Sequence, residues 1–138
     1  MVDKALLARK LAAIRDAVER IREVLPAEAA AADRTAREVV ILNLFVGVQE
    51  CLSIAVHWLA DAGTDVPEGY REVYVELAEQ GVLTRELAER LGAAAGLRNL
   101  IAHRYGALDW SRIHEIASRD LDDLLTFCEA LARAVEGR

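Results

Sequence analysis

The chain has 138 residues, 54 % of them apolar and 5 % aromatic, and a formal net charge of −6. One domain spanning residues 1–138 is expected from that length. The acidic balance argues against a general nucleic-acid binder, because releasing counterions from a phosphate backbone takes a broadly basic surface. Ala, Leu, Arg and Glu, all strong helix formers, dominate, and only Pro26 and Pro67 interrupt them, so long helices are expected.

Asp3 caps a first helix reaching Leu25, where Leu6, Leu7, Leu11, Ile14, Val18, Ile21 and Leu25 mark one buried stripe. Pro26 ends it. Asp33 starts a second, long helix to Asp61, apolar nearly all round in its middle and therefore packed on several sides. Its stretch Val39 to Ala60 is long enough to raise a membrane question, but Asn43, Gln49, Glu50 and His57 interrupt it, so a buried bundle helix is expected and no membrane partner. No secretory leader pattern opens the sequence, which makes the cytoplasm the expected location.

Residues 62–69, AGTDVPEG, form a turn-rich connector, and a short third helix runs from Tyr70 to Gln80 with Gly81 as its stop. Thr84 caps a fourth helix to Tyr105, with Gly106 as its C-terminal glycine. A short helix follows Asp109 to about Ile116, and Ser118 or Asp120 opens the last one, with Leu121, Leu124, Leu125, Cys128, Leu131 and Ala132 inward. Cys51 and Cys128 lie in apolar runs and read as core thiols, not as a disulfide or a metal pair. His57 reads as a hydrogen-bonded core residue and His114 as a surface one. The expected fold is all-α, an antiparallel up-and-down bundle of four main helices plus a short extra helix.

Charge is unevenly spread. Residues 84–119 hold six arginines and four acids, a local +2, which leaves −8 on the rest. Such a segment suits a small RNA footprint or a charged protein partner, and ordinary solvated helix faces would look the same. On a helical wheel of the fourth helix, Ala93, Ala94, Leu97, Leu100 and Ile101 gather on a side that is expected to face the core. Nearly opposite lie Gly92, Ala95, Asn99, Ala102 and His103, small residues around one amide and one imidazole. Small residues admit a close-packed helix, so the strip is expected to meet a second copy of the chain. Arg98 and Tyr105, seven residues apart, fall along one border of it.

Those side chains suffice for RNA strand transfer without a metal. An imidazole, with an ordinary pKa of about 6.5, takes a proton from a ribose 2′-hydroxyl or gives one to the leaving 5′-oxygen. A guanidinium grips the scissile phosphate bidentately. Asn99 is expected to orient the imidazole or touch the phosphate, and Arg104 to add positive charge. Each residue also has a plain alternative: His103 at a helix C-terminus, Arg98 solvated or ion-paired, Asn99 merely tolerated, Tyr105 half-buried packing.

The string RNLIAHRY, residues 98–105, resembles the R-x4-H pattern of HEPN domains in the R-N-x3-H-x-Y form of HepT toxins. The likeness extends over nearly the whole chain, including the segment YGALDW that leads into the Leu-rich final helix. The resemblance implies a helical bundle, a homodimer and a metal-independent endoribonuclease that needs no cofactor. It implies Arg98 and His103 as catalytic residues with Asn99 in support, and phosphate binding by Arg98 and Arg104. It also implies an MNT-type nucleotidyltransferase antitoxin as partner, attaching AMP to Tyr105. Two other readings stay open: a non-catalytic helical module that binds a nucleotide or such a partner, favoured by the acidic charge, and a subunit that only helps assemble a larger complex.

Overall fold

The structure, a computed structural model, describes residues 3–137, the side chain of Tyr105 excepted. Six α-helices follow one another: α1 (Lys4–Val24), α2 (Arg34–Asp61), α3 (Tyr70–Glu79), α4 (Arg85–Arg104), α5 (Trp110–Arg119) and α6 (Leu121–Glu136), with short 3-10 turns at Ala29–Ala31 and Tyr105–Ala107. The bundle architecture expected from the sequence holds, with α3 and α5 as its short members.

Local chemistry sets the helix starts. The carboxylates of Asp3, Asp33 and Asp109 accept from the backbone N–H groups of Leu6, Ala36 and Ser111, and the Thr84 hydroxyl accepts from that of Leu87. Each satisfies a donor that the first helical turn leaves unpaired. Gly81 ends the α3 region at φ +79°, a conformation that side chains with a Cβ rarely adopt. Gly106 does not repeat this device. The chain winds on through the 3-10 turn Tyr105–Ala107, and positive φ occurs only at Gly63 and Gly81 among the described residues.

Helix α2 runs through the centre and packs against α1, α3, α4, α5 and α6. It buries Val40, Ile41, Leu44, Val48, Cys51, Leu52, Ile54, Ala55, Trp58 and Leu59. Half of its most apolar stretch is buried inside the bundle, which accounts for a helix apolar and long enough to cross a membrane. Across from it, α6 buries Leu121, Leu124, Phe127, Cys128 and Leu131, and the Phe127 ring meets Tyr74 edge-on at 6.2 Å. Both cysteines are buried free thiols. Burial pushes Cys51 well above the usual thiol range and Cys128 up to about 11.

Four expectations are corrected by the packing. Ala95 lies wholly inside the core, whereas Leu100 is 41 % exposed and Ala93 is also outward. Gly92 serves α3 of the same chain, because a Cβ built on it would lie 3.2 Å from the Arg71 Cα and the two backbones approach closely there, whereas Ala102 of the strip is exposed. His57 is exposed and not a core residue, because the apolar girth of α2 leaves its outward side unmarked in sequence. His114 is partly buried, its Nε2 2.8 Å from the Pro26 carbonyl, while Trp110 Nε1 donates to the Ala29 carbonyl at 2.8 Å. These bonds pin α5 to the α1–α2 connector, and Arg37 stacks over the Trp110 ring at 5.5 Å.

Candidate functional site

The last two turns of α4 carry Arg98, Asn99, His103 and Arg104. Helical spacing puts Arg98 and His103 about 140° apart around the axis. Arg98 is partly buried on the α2 and α3 side, whereas His103 and Arg104 are exposed. Among the described residues, His103 makes no hydrogen bond and no ion pair. Within one copy, therefore, the cation and the imidazole point in different directions.

Arg98 is held on three sides. Its Nε donates to Gln49 Oε1 at 2.6 Å, its Nη1 donates to Asn99 Oδ1 at 2.9 Å, and the same nitrogen reaches Tyr70 Oη at 3.5 Å. Its guanidinium carbon sits 5.7 Å from the centre of the Phe45 ring. A guanidinium has five N–H donors, and these contacts occupy the Nε edge and Nη1. Nη2 makes no hydrogen bond among the described residues. Asn99 is thus turned toward Arg98 and not toward His103, with its amide NH2 left for another acceptor.

The local basic charge is narrower than the sequence count suggests. Arg85 pairs with Glu79 and Glu89, Arg90 with Asp123, and Arg119 with Glu115. Arg71 also donates to Glu89 through Nε and Nη2, which holds that carboxyl below its usual range. Arg98, Arg104 and Arg112 have no ion pair among the described residues. Half of the six arginines therefore keep an uncompensated charge, and two of these three lie in the RNLIAHRY string.

Beside Arg98, a shallow groove of about 380 Å³ runs between α2 and α4, lined by Glu38, Ile41, Leu42, Phe45, Ile101 and Ala102. Leu42 is 61 % exposed at its edge. The groove is apolar and adjoins the motif. No group of His, Cys, Asp and Glu side chains that could hold a metal ion occurs among the described residues.

Tyr105 lies outside the described residues as far as its side chain is concerned. Its backbone has already left the α-helix for the 3-10 turn, so the straight helical line from Arg98 stops at Arg104. Gln49, Tyr70 and Phe45 escaped the sequence reading because they lie 49, 28 and 53 positions from Arg98. The one available signal was Gln49 itself, one of the polar residues that interrupt the apolar run of α2.

The Arg-Asn pair and the histidine thus stand at one end of a helix in an all-helical bundle. Residues 14–131 match the family described as Ribonuclease HepT-like, and the chain belongs to that family. It is similar to the mRNA nuclease HepT of Shewanella oneidensis, 27 % identical over 127 residues that span 91 % of this chain and 96 % of that protein. The tri-AMPylated Shewanella oneidensis HEPN toxin, solved in complex with MNT antitoxin, superposes with a TM-score of 0.84 at 27 % identity, covering 96 % of this chain and 99 % of that one. A toxin–antitoxin structure with AMP-PNP gives a TM-score of 0.86 at 25 % identity, covering 94 % and 99 %.

Proposed function

We propose that this chain is the toxin of a toxin–antitoxin pair and cuts RNA without a metal ion, through Arg98 and His103 with Asn99 in support, at a site shared between two copies. The observation that carries the reading is the state of these side chains among the described residues: an arginine held by neutral partners, its charge uncompensated, five positions before an imidazole with no partner. In the reaction the ribose 2′-oxygen loses its proton and attacks the adjacent phosphorus, while the 5′-oxygen leaves and takes up a proton. His103 serves these proton transfers, and Arg98 and Arg104 hold the phosphate. The products end in a 2′,3′-cyclic phosphate and a 5′-hydroxyl.

The divergence of Arg98 and His103 within one copy favours a site completed by a second. The apolar groove beside them supports a homodimer that covers Leu42 and Phe45 and brings two motif helices together. The MNT antitoxin bound to the Shewanella toxin supports a nucleotidyltransferase partner for this chain, with AMP attached to Tyr105. Added phosphate would bring negative charge next to Arg98 and Arg104, in competition with the RNA backbone.

Cleavage of RNA in the presence of chelator tests the reading. The wild type is expected to cut, and His103→Ala and Arg98→Ala each to lose about two to four orders of magnitude in rate. Unchanged cleavage by both variants would assign the activity to a contaminant and leave the non-catalytic module.

A further inference from the structure

Asn99 apart, the contacts that hold Arg98 come from outside the RNLIAHRY string, and none of them is a carboxylate. Arg85, Arg90 and Arg119, on the same stretch of chain, are paired with carboxylates. Arg98 instead meets an amide oxygen, a phenol and an aromatic face. A carboxylate would orient the guanidinium equally well, but it would cancel the charge that a phosphate must see. Gln49 orients it at 2.6 Å and leaves the charge intact. Gln49 is partly buried on α2 beside Glu50, whose carboxylate is taken up by Lys10 at 3.0 Å, so the amide and not the neighbouring acid meets Arg98.

We propose that Gln49, backed by Tyr70 and Phe45, is a positioning residue for Arg98: a neutral socket, built by α2 and α3, that fixes the guanidinium so that Nη2 faces the substrate phosphate. The inference rests on the reading of Arg98 as the phosphate-binding group. It adds that the grip is set before substrate arrives. An arginine side chain has many rotamers, and the socket removes most of that freedom in advance. With Nε and Nη1 engaged, the phosphate is met through Nη2, and a side-on fork through Nε and Nη2 forms only if Gln49 lets go.

The test is a double-mutant cycle on single-turnover RNA cleavage, joined to chemical rescue. Gln49→Leu is expected to lower the rate of the bound complex about 10- to 100-fold with little change in apparent substrate affinity. In an Arg98→Ala background the same substitution is expected to cost nothing further, because Gln49 acts only through Arg98. Guanidinium ion at non-denaturing concentration is expected to restore part of the activity of Arg98→Ala by occupying the empty socket, and not that of the double variant. Gln49→Glu keeps the acceptor but neutralises the cation, so it is expected to stay impaired while melting no lower than the wild type. Gln49→Met, which keeps the chain length without the acceptor, gives the same reading if Gln49→Leu fails to fold.

The possible failures are separable. Wild-type cleavage by Arg98→Ala would remove the phosphate-binding role of Arg98 itself. An inactive Arg98→Ala beside a fully active Gln49→Leu, losses that multiply in the double variant, or guanidinium rescue that does not need Gln49 would each overturn the socket.

Discussion

Replacing Leu42 by Asp probes whether the groove beside Arg98 is covered by a second copy. Fully burying a leucine side chain is worth about 1.5–3 kcal/mol. Leu42 is 61 % exposed in the single chain, so a partner that covers it gains about 1–2 kcal/mol per protomer. A two-fold interface uses the residue twice, which makes about 2–4 kcal/mol, or about 30- to 700-fold in Kd. Asp forfeits that gain and adds two carboxylates that must lose water. Sedimentation equilibrium over a concentration series measures the effect, with Val66→Asp as control. Val66 is also exposed, at 38 %, but it lies on the connector past the far end of α2, whose last residue, Asp61, is about 28 Å along the helix from Leu42. RNA cleavage is expected to fall in step with the dimer and to recover as protein concentration is raised. A Leu42→Asp Kd within threefold of the wild type, or full cleavage by a monomeric variant, would refute both the interface and the shared site.

Three further outcomes are expected. Tyr105→Phe is expected to keep cleaving RNA but to escape silencing by a partner nucleotidyltransferase and ATP; an adenylate-sized mass increment that persists in this variant would place the modification elsewhere. Gly92→Leu is expected to destabilise the fold by about 1–3 kcal/mol, read by urea unfolding, because its side chain meets the Arg71 backbone where a Cβ alone already stands at 3.2 Å. Cys51 and Cys128 are expected to resist an aromatic disulfide reagent at pH 8 in the native state, since burial holds both thiols protonated, Cys128 up to about 11; the sign is that reactivity rises only as pH climbs toward those raised values or as the chain unfolds, and rapid native labelling at pH 8 would contradict the burial.

What could be read from the sequence divides along the range of the interactions. Helix starts at Asp3, Asp33, Thr84 and Asp109 were legible because a cap is a contact with a residue two or three positions away. The motif helix and its polar residues were legible for the same reason. The direction of the core was not. The pattern turns apolar Leu100 inward and small Ala95 outward, but the close approach of α3 at Gly92 brings that side of α4 toward the interior. The wheel counts side chains, whereas burial depends on where the neighbouring helix lies. His57 went astray likewise, since a helix apolar nearly all round gives no sign of which side meets solvent. The socket around Arg98 depends on three residues brought in by tertiary packing, and nothing at residues 98–105 points to them.

The measurement that bears most directly on the central claim is the chemistry of the cut ends. Purified protein, with the nucleotidyltransferase absent and chelator present, is incubated with a defined RNA and with the DNA of the same sequence, and the products are weighed by mass spectrometry. The expected products are RNA fragments ending in 2′,3′-cyclic phosphate and 5′-hydroxyl, with the DNA intact and no such fragments from His103→Ala. Fragments with 3′-hydroxyl and 5′-phosphate ends, cleavage of the DNA, or cleavage that depends on added metal would contradict it.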